Sequence, residues 1–494
     1  MKRLGVLTSG GDAAGMNAAV RAVVRTALDR GADVFTVYEG YQGLVDGGER
    51  VRRADWSDVS QVLQRGGTVL GTARCAAFRT VEGRRAAALT LASRGIDNLV
   101  VCGGDGSLTG ADLFRREWPE HLAALVASGD LTQEAVDALG ILRIAGLVGS
   151  IDNDMSGTDM TIGADTALHR ITEAMDAISS TAASHKRTFV VEVMGRHCGY
   201  LALMSAIAGD ADWVLLPEVP PPHDDWQAKM VSDLKAGRDA GRRDSMVIVA
   251  EGAQDRKGTP ITSQMVCDVL AAELGGEVRV TVLGHVQRGG APSAFDRNLG
   301  TLLGHAAVMA LLDEVVTDEP LVMGMRGNRI VHTPLSACLE VNRKIAAAMA
   351  SGQSVEAMRL RGSGFLSTWR TLKTLLRPLP KGQPTTPRPL RLAVLNAGAP
   401  APGMNAATRA AVRLGLDRGH CVLGVENGFQ GLVEGRLKPL EWMDVAAWAP
   451  QGGSELGTRR NALKARDLYA IAHTLEKEGI DGLLVIGGWS AYNT

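Results

Sequence analysis

The sequence predicts an α/β protein built from parallel βαβ units. Short apolar runs alternate with longer helix-like runs, beginning with 4–8, 34–37 and 98–102. Glycine is abundant, at 59 residues, and aromatic residues make up only 4%, which suits many tight loops better than a β-sandwich. Polar loops follow several of the apolar runs, at the edge where open α/β sheets bind their ligands.

Composition narrows the function class. The 494 residues are too many for one core, and the net charge of −1 argues against a general nucleic-acid or membrane binder. No apolar run reaches transmembrane length, and the strand-like run at 4–8 leaves no room for a signal peptide. The six cysteines form no C-x-x-C pair. We therefore expect reduced thiols, no zinc site and a cytoplasmic location.

The elements follow from local pattern. Helix 15–30 carries Ala and Val on one face and Arg21 and Arg25 on another. Later strands are predicted at 142–148, 189–193, 213–216, 246–250 and 278–282. Later helices are predicted at 163–181, 197–208, 261–274 and 294–312.

A proline-rich segment at 376–390 predicts a linker, since proline neither continues a helix nor donates to a sheet ladder. An internal repeat follows it. Residues 391–407 restate 3–19, and 486–491 restate 102–107. The predicted division is 1–375 for a first half, 376–390 for the linker and 391–494 for a partial second half.

The repeat is informative where its copies differ. Gly11 and Asp12 become Ala399 and Pro400, and Asp105 becomes a tryptophan, which cannot hold a hard cation. Residues 457–460 (GTRR) keep and extend the cationic charge of 71–74 (GTAR). We infer a second half that has lost nucleotide and metal chemistry but retains the means to bind an anion.

The loop at 149–154 (GSIDND) is the strongest candidate for a catalytic base. It places Asp152 and Asp154 two residues apart after a buried strand. Like charges this close indicate a nearby cation or a proton acceptor. A solvated turn is the alternative, since Asn and Asp are common loop residues.

Two glycine-rich loops are candidates for phosphate binding. Residues 9–15 (SGGDAAG) lead from a strand into a helix N-terminus, which favours anions, but they match neither the Walker A nor the Rossmann spacing. Residues 103–107 (GGDGS) have the same layout, and Asp105 is suited to Mg²⁺ bridged to phosphate. Taken singly, each loop could also be an ordinary tight turn.

Basic and polar residues recur at loop positions. They include His285, a possible donor to phosphate or sugar oxygens, and Glu251, a possible acceptor from sugar hydroxyls. The arginines are Arg74, Arg79, Arg187, Arg196, Arg279 and Arg288. Arg187 and Arg279 are each placed just before a strand, and arginine suits the recognition of phosphate. Together these residues predict Mg²⁺-dependent phosphoryl transfer to a phosphate ester, with Asp152 accepting the hydroxyl proton.

These motifs, together with 194–196 (MGR) and 284–288 (GHVQR), resemble the 6-phosphofructokinases, specifically the ATP-dependent, duplicated eukaryotic type. The similarity covers nearly all of 1–375, and 390–494 resembles the opening of that family's second half. The resemblance implies a phosphofructokinase-like fold, with parallel βαβ sheets in a two-lobed catalytic half followed by a partial repeat of the first lobe.

The resemblance also implies roles for individual residues. Asp152 would be the base for the sugar 1-hydroxyl, and Asp105 would bind Mg²⁺. ATP would contact Gly11, Arg74, Cys75, Gly104, Asp105, Gly106 and Ser107. Fructose 6-phosphate would contact Ser150, Ile151, Asp152, Met194, Gly195, Arg196, Glu251, His285, Val286, Gln287 and Arg288, with Arg187 and Arg279 reaching the sugar phosphate of a neighbouring subunit.

The same resemblance implies a homo-oligomer, the family tetramer, with fructose 2,6-bisphosphate as an effector and Arg460 as its one clear contact. Because the family's chain continues well past 494, we expect a truncated or splice-like sequence, with an exposed sheet edge and apolar surface. Pyrophosphate-using relatives typically carry Asp at the position of Gly106 and Lys at that of Gly149, so both glycines favour ATP.

Alternatives remain at this point. The same fold could use pyrophosphate, although the two glycines argue against it. A non-catalytic binding or regulatory subunit, or an inactive fragment, is the alternative from a different class. A NAD-binding Rossmann protein is more distant, because the first loop lacks the G-x-G-x-x-G spacing.

Overall fold

The computed structural model describes residues 2–275, 277–313, 315–316, 318–381, 387–460 and 463–493. These residues form three sheets flanked by helices. The strands are β1 (Arg3–Ser9), β2 (Asp33–Val37), β3 (Val51–Arg53), β4 (Asn98–Gly103), β5 (Arg143–Val148), β6 (Thr188–Val193), β7 (Trp213–Leu215), β8 (Ser245–Ala250), β9 (Val278–Val282), β10 (Leu321–Arg326), β11 (Arg329–Pro334), β12 (Arg391–Ala397), β13 (Cys421–Val425), β14 (Leu437–Pro439) and β15 (Gly482–Gly487).

The helices alternate with these strands for most of the chain. In chain order they are α1 (Met16–Asp29), α2 (Tyr41–Asp46), α3 (Val81–Ala92), α4 (Asp105–Ala127), α5 (Gln133–Asp137), α6 (Ala164–His185), α7 (Tyr200–Ala208), α8 (Trp226–Asp239), α9 (Ser263–Leu274), α10 (Ala294–Leu312), α11 (Leu335–Ala350), α12 (Ser354–Leu360), α13 (Ser363–Leu375), α14 (Met404–Asp417), α15 (Phe429–Glu434), α16 (Ala465–Lys477) and α17 (Trp489–Tyr492). No helix of the described residues is long and apolar enough to cross a membrane.

The first sheet has seven strands in the order β11-β10-β5-β4-β1-β2-β3. Its central strands are parallel and buried on both faces, with Val6 and Val100 in one apolar cluster and Leu7 and Leu99 in the other. This alternation arises because successive strand residues point to opposite faces. Ser9 pairs with Gly103 at the carboxyl edge, so the loops after β1, β4 and β5 lie side by side.

The second sheet, in the order β7-β8-β6-β9, is parallel throughout. Its carboxyl edge carries residues 194–196, Glu251 and a short 3₁₀ turn at Gly284–Gln287. This sheet and the first form the two lobes of the first half. The predicted α/β fold of parallel βαβ units is confirmed.

The third sheet, in the order β14-β13-β12-β15, belongs to the repeated segment. Its described residues fold against the first half, where Arg409 forms an ion pair with Asp210 and Arg413 Nη1 donates to Leu375 O at 2.8 Å. Apolar side chains of its edge strand β15 and of α17 are exposed, as expected, with Leu484 46% and Trp489 79% accessible.

The structure differs from the sequence-based expectations in several places. The helix expected from residue 197 begins at Tyr200, because Gly195 and Arg196 have positive φ values of 142° and 49° and form a turn. The β10–β11 hairpin and the helices from α11 to α13 were not predicted. The linker 376–390 lies between α13 and β12, but its residues 382–386 are outside the described residues.

Candidate active site

Two glycine-rich loops meet at the carboxyl edge of the first sheet. Gly10 (φ 87°) turns the chain after β1, and Gly15 (φ 113°) precedes the first residue of α1. Ser107 Oγ donates to Ser9 Oγ at 3.0 Å, which joins the two loops. A Cβ on Gly103 would lie 2.4 Å from Ser9 O, so only glycine permits this approach.

Asp105 is the first residue of α4 and is exposed at the helix N-terminus. A Cβ built on Gly104 or Gly106 meets nothing within 4 Å, so open space lies beside its carboxylate. Asn342 Nδ2 donates to Asp105 Oδ1 at 3.1 Å and orients the group. No cluster of three or more His, Cys, Asp or Glu occurs in the described part of the chain. One carboxylate next to phosphate space fits Mg²⁺, which takes few protein ligands alongside substrate oxygens.

Asp152 has the features of a general base. Its side chain is almost wholly buried, and its Oδ1 has no hydrogen-bond partner among the described residues. Burial raises the pKa of Asp152 to about 6, with a further contribution from Asp154 and a smaller one from Glu251, while Arg288 and Arg196 act in the opposite direction. Such a carboxyl is ionised at neutral pH yet basic enough to accept a proton.

The loop around Asp152 is held by its neighbours. Ser150 Oγ donates to Asp154 Oδ1 at 3.0 Å and accepts from the backbone N–H of Asp152 at 3.3 Å. Asn153 adopts a positive φ of 50°, and its Oδ1 accepts from Thr161 N at 2.8 Å. The side chain of Ile151 packs in the apolar core, so only its backbone faces the cleft.

The second lobe presents Arg196 to the base. Arg196 Nε lies 3.8 Å from Asp152 Oδ2, and its backbone N–H donates to Glu251 Oε2 at 3.1 Å. Its carbonyl is packed so closely that a Cβ on Gly252 would lie 1.8 Å from it. A left-handed arginine in this position is strained, which is common where a side chain must be aimed at a site.

The 3₁₀ turn after β9 separates exposed residues from a buried one. His285 and Val286 are exposed, whereas Gln287 is 1% exposed. Gln287 accepts from Met194 N at 3.1 Å and donates to Gly284 O at 2.9 Å. Both ends of its amide are therefore bonded within the protein. Its side chain therefore holds the loop of Met194 from within, and the predicted contact of Gln287 with substrate stays a prediction.

Arg288 connects the two lobes. Its Nη1 donates to Asp12 O at 2.7 Å, and a Cβ on Gly11 would lie 2.7 Å from the same nitrogen. The charge of Arg288 lowers the pKa of Asp152 and so opposes the larger increase caused by burial. The guanidinium thus stands between the first glycine loop and the base.

Arg74 and Cys75 lie on an irregular segment beside the first loop. Thr72 Oγ1 donates to Gly10 O at 2.9 Å and fixes this segment. Arg74 is exposed, and Cys75 Sγ is half-buried and accepts from Phe78 N at 3.4 Å. The structure therefore places both residues at the edge of the phosphate loops.

Arg187 and Arg279 lie away from these residues, at the amino edge of the second sheet. Both contact Glu277, with Arg279 Nη2 at 2.8 Å from its Oε1. Arg279 lies inside β9 rather than just before it, which corrects the sequence-based placement. A strand of five residues spans about 16 Å, so neither arginine reaches Asp152 of the same chain.

The second half has its own cavity at the corresponding loops. It has a volume of about 1090 Å³ and is lined by Gly398, Arg459, Arg460 and Trp489, among others, with no acidic residue among its described lining residues. This arrangement agrees with the inference that the repeat kept cationic charge and lost the metal-binding carboxylate.

The sequence analysis missed residues that hold the site from behind. Tyr41 OH donates to Ser107 O at 2.6 Å and stacks on Phe78 at 4.0 Å between ring centroids, linking α2 to the phosphate loop. The sequence did contain a signal for Tyr41, since the motif GYQG around it is repeated as GFQG at 428–431. The contact of Asn342 with Asp105 had no local signal, because the two residues are distant in sequence.

The geometry agrees with a comparison of the chain with known families. The phosphofructokinase model matches residues 3–311 and 391–494. The chain belongs to the phosphofructokinase family. It is 52% identical over 491 residues to the human ATP-dependent 6-phosphofructokinase of liver type, and it spans 62% of that protein's length.

Solved structures of this phosphofructokinase family give the same result. The phosphofructokinase from Saccharomyces cerevisiae superposes with a TM-score of 0.95 at 47% identity, over 100% of this chain and 66% of the other. The Pichia pastoris enzyme in the T-state has a TM-score of 0.92 at 46% identity, over 100% of this chain and 52% of the other. The duplicated arrangement inferred from the repeat is therefore that of the family.

Proposed function

We propose that the protein catalyses transfer of the γ-phosphoryl group of ATP to the 1-hydroxyl of D-fructose 6-phosphate, giving fructose 1,6-bisphosphate and ADP. One observation carries the proposal. A buried carboxylate with a pKa of about 6 faces an arginine across the cleft, beside an open glycine loop that ends in an exposed aspartate. That combination suits phosphoryl transfer to a sugar hydroxyl.

In this mechanism Asp152 removes the proton from the 1-hydroxyl as the sugar oxygen forms its bond to the γ-phosphorus. The bond between that phosphorus and the β,γ-bridging oxygen breaks, and ADP leaves. Asp105 would hold Mg²⁺, which neutralises charge on the phosphate oxygens when bound. Residues 104–106, at the N-terminus of α4, would accommodate the phosphates through backbone N–H groups.

The sugar phosphate would be held by the second lobe. Arg196, His285 and Arg288 supply donors, and Glu251 accepts from sugar hydroxyls while it holds the backbone of Arg196. The peptide groups of Met194 and Gly195 line the same edge, which Gln287 fixes from within. These side chains come from three separate loops of the second lobe, so substrate binding depends on those loops keeping their relative positions.

ATP is the proposed donor, and the two diagnostic glycines differ in environment. A Cβ on Gly149 would lie 2.5 Å from Met16 Cε and 3.3 Å from Cys102 Sγ, so a lysine there would require the core to move. A Cβ on Gly106 meets open space, so an aspartate would fit there and compete with the nucleotide α-phosphate for it.

Two further parts of the proposal concern assembly. Arg187 and Arg279, at the far edge of the second sheet, are placed to serve the sugar phosphate of a neighbouring subunit in a homo-oligomer. Arg460 and Arg459 line the cationic cavity of the second half, which suits a bisphosphate effector such as fructose 2,6-bisphosphate. All six cysteines are unpaired, which supports a cytoplasmic location.

The test is the phosphorylation of fructose 6-phosphate by the purified chain, with ATP and with pyrophosphate in parallel, each with Mg²⁺. We expect fructose 1,6-bisphosphate with ATP alone. Product with pyrophosphate alone would overturn the choice of donor. A folded chain that binds ATP but gives no product with either donor would replace the catalytic proposal with a binding subunit.

A further inference from the structure

A buried ion pair lies behind the cleft, on the side away from the substrate. Arg361 stands between α12 and α13, and its side chain is 6% exposed. Arg361 Nε lies 3.0 Å from Glu218 Oε1. The carboxylate of Glu218, in the loop after β7, is not exposed at all. Nothing in the proposed chemistry uses either residue.

The remaining nitrogens of Arg361 bond to both catalytic loops. Nη1 donates to Asp154 O at 3.3 Å, and Nη2 donates to His197 O at 2.6 Å. Asp154 lies two residues after the base, on the first lobe, and His197 directly follows Arg196, on the second. One planar guanidinium therefore connects the two loops whose side chains face each other across the cleft.

Glu218 completes this connection. Both of its carboxylate oxygens accept from the backbone N–H of Gly199 at 3.0 Å, at the end of the loop that carries Arg196. A Cβ on Gly199 would lie 2.6 Å from Glu218 Oε2, so the loop is seated directly on the carboxylate. The same loop is tied to the first lobe by Cys198 Sγ, which lies 3.6 Å from Asn153 O.

The loop needs such support because its backbone is strained. Arg196 has a φ of 49°, a region that non-glycine residues rarely adopt. Glu251 holds its N–H from the cleft side. Arg361 and Glu218 hold His197 and Gly199 from behind. Release of these contacts would let Arg196 move away from Asp152, which it now approaches to 3.8 Å.

We propose that Arg361 and Glu218 are positioning residues, which fix Asp152 and Arg196 at their working separation across the two lobes. The effect of this pair on proton transfer rests on the proposed function, whereas the claim that the pair fixes the separation of Asp152 and Arg196 does not. Arg361 does not face the base. The charged groups that do are Asp154 on its own loop, Arg196, Arg288 and Glu251.

The test uses Arg361→Lys, which keeps the charge but cannot donate to three acceptors in a fixed plane. Because Arg196 lowers the pKa of Asp152, its retreat should raise that pKa. We expect the acid limb of kcat/KM for fructose 6-phosphate to move up by about half a pH unit or more, and kcat to fall about tenfold with KM for ATP unchanged. Glu218→Gln, which keeps the shape, should give a smaller shift in the same direction.

The control is Arg84→Lys. Arg84 is equally buried, with two nitrogens on Glu117 at 2.5 and 2.9 Å and a third on Phe78 O at 3.1 Å, but it contacts neither catalytic loop. The Arg84→Lys substitution should lower the unfolding temperature without moving the acid limb of kcat/KM. An acid limb unchanged in Arg361→Lys, or moved equally in Arg84→Lys, would overturn the inference.

A second readout needs no turnover. The ¹³C carboxyl signal of Asp152, assigned by its absence in Asp152→Asn, can be titrated in the wild type and in Arg361→Lys. A raised pKa in the variant supports the positioning role even if the wild type proves inactive, in which case the proposed function alone fails. An unchanged pKa in a folded Arg361→Lys protein contradicts the positioning role even if the wild type is active.

Discussion

The glycine-rich loops of the first half and their copies in the second half have the same backbone conformation but carry different side chains. Gly10 and Gly398 have φ values of 87° and 88°, and Gly15 and Gly403 precede their helices with values of 113° and 94°. The strands pair in the same way, with β1 between β2 and β4 and β12 between β13 and β15. The turns that shape a phosphate loop are thus present in both halves.

Buried hydrogen bonds are repeated as well. Asn17 Nδ2 donates to Arg65 O and its Oδ1 accepts from Val69 N at 2.7 Å. Asn405 Nδ2 donates to Gln451 O and its Oδ1 accepts from Glu455 N at 2.7 Å. Each asparagine fixes the segment that follows the third strand of its half. These side chains are buried, and their loss would leave unpaired backbone groups.

The two halves differ at exposed positions of the glycine-rich loops. Asp105 becomes Trp489, and Gly11, which touches Arg288, becomes Ala399. The comparison teaches that the shared fold depends on glycine conformations and buried amides, whereas the proposed metal and nucleotide contacts depend on a few exposed groups in these loops. The second set can therefore be lost while the first is kept.

The largest expected effect is that of Asp105→Ala, and Trp489→Ala at the corresponding position of the second half is its matched control. Asp105→Ala removes the proposed Mg²⁺ ligand, and turnover with ATP should fall by roughly a thousandfold, with a higher Mg²⁺ requirement. Trp489→Ala should leave turnover within about twofold. Initial rates at several Mg²⁺ concentrations test both variants, and equal losses in the two would break the distinction between the halves.

Alanine at Asn17 or at Asn405 should destabilise its own half by a similar amount, about 3 kcal/mol, because each removes matched buried hydrogen bonds. Hydrogen exchange at the amides of Val69 and Glu455 measures the effect locally. We expect faster exchange only in the half that carries the substitution. A loss of protection in the first half alone would show that the two scaffolds are not equivalent.

The decrease of activity at acid pH should depend on the carboxylate of Asp152 in the first half and not on the cavity of the second half. With the pKa of Asp152 raised to about 6, the base is ionised above that pH and protonated below it, so kcat/KM should fall about tenfold from pH 7 to pH 5. Trp489→Ala should retain this profile, since no acidic residue is among the described lining residues of the second cavity. A flat profile over this range would contradict the assignment of the base.

The smallest effect is expected at Gly11, whose φ is not in the left-handed region. A Cβ there would press on Arg288 Nη1 at 2.7 Å, so Gly11→Ala should raise KM for fructose 6-phosphate about fivefold with little change in kcat. Ala399→Gly is the matched control and should change neither constant. Steady-state kinetics of the two variants decide whether the close contact is specific to the first half.

Much of the fold could be predicted from the sequence because strand runs such as 98–102 and 246–250 are continuous and apolar, and the loops that follow them carry recognisable motifs. Asp152, Asp105 and Arg196 come from such loops. The support behind them could not be predicted. Asn342 lies on α11 and Arg361 lies between α12 and α13, both outside any motif, and only tertiary packing brings them to residues 105 and 154.

Gln287 shows a detail that its motif leaves open. Its motif suggests a substrate contact, but burial in the 3₁₀ turn directs its amide toward Met194 and Gly284. The direction of a side chain within a motif depends on the packing of the turn, which spacing alone does not reveal. The same holds for Ile151, whose side chain faces the core.

The most direct test of the account is the turnover of fructose 6-phosphate by Asp152→Asn, measured with saturating ATP and Mg²⁺ beside the wild type. The account predicts a loss of at least about a hundredfold in kcat, with ATP binding by equilibrium titration unchanged. A variant that works at the wild-type rate would show that Asp152 is not the base, and the proposed chemistry of the first half would be wrong.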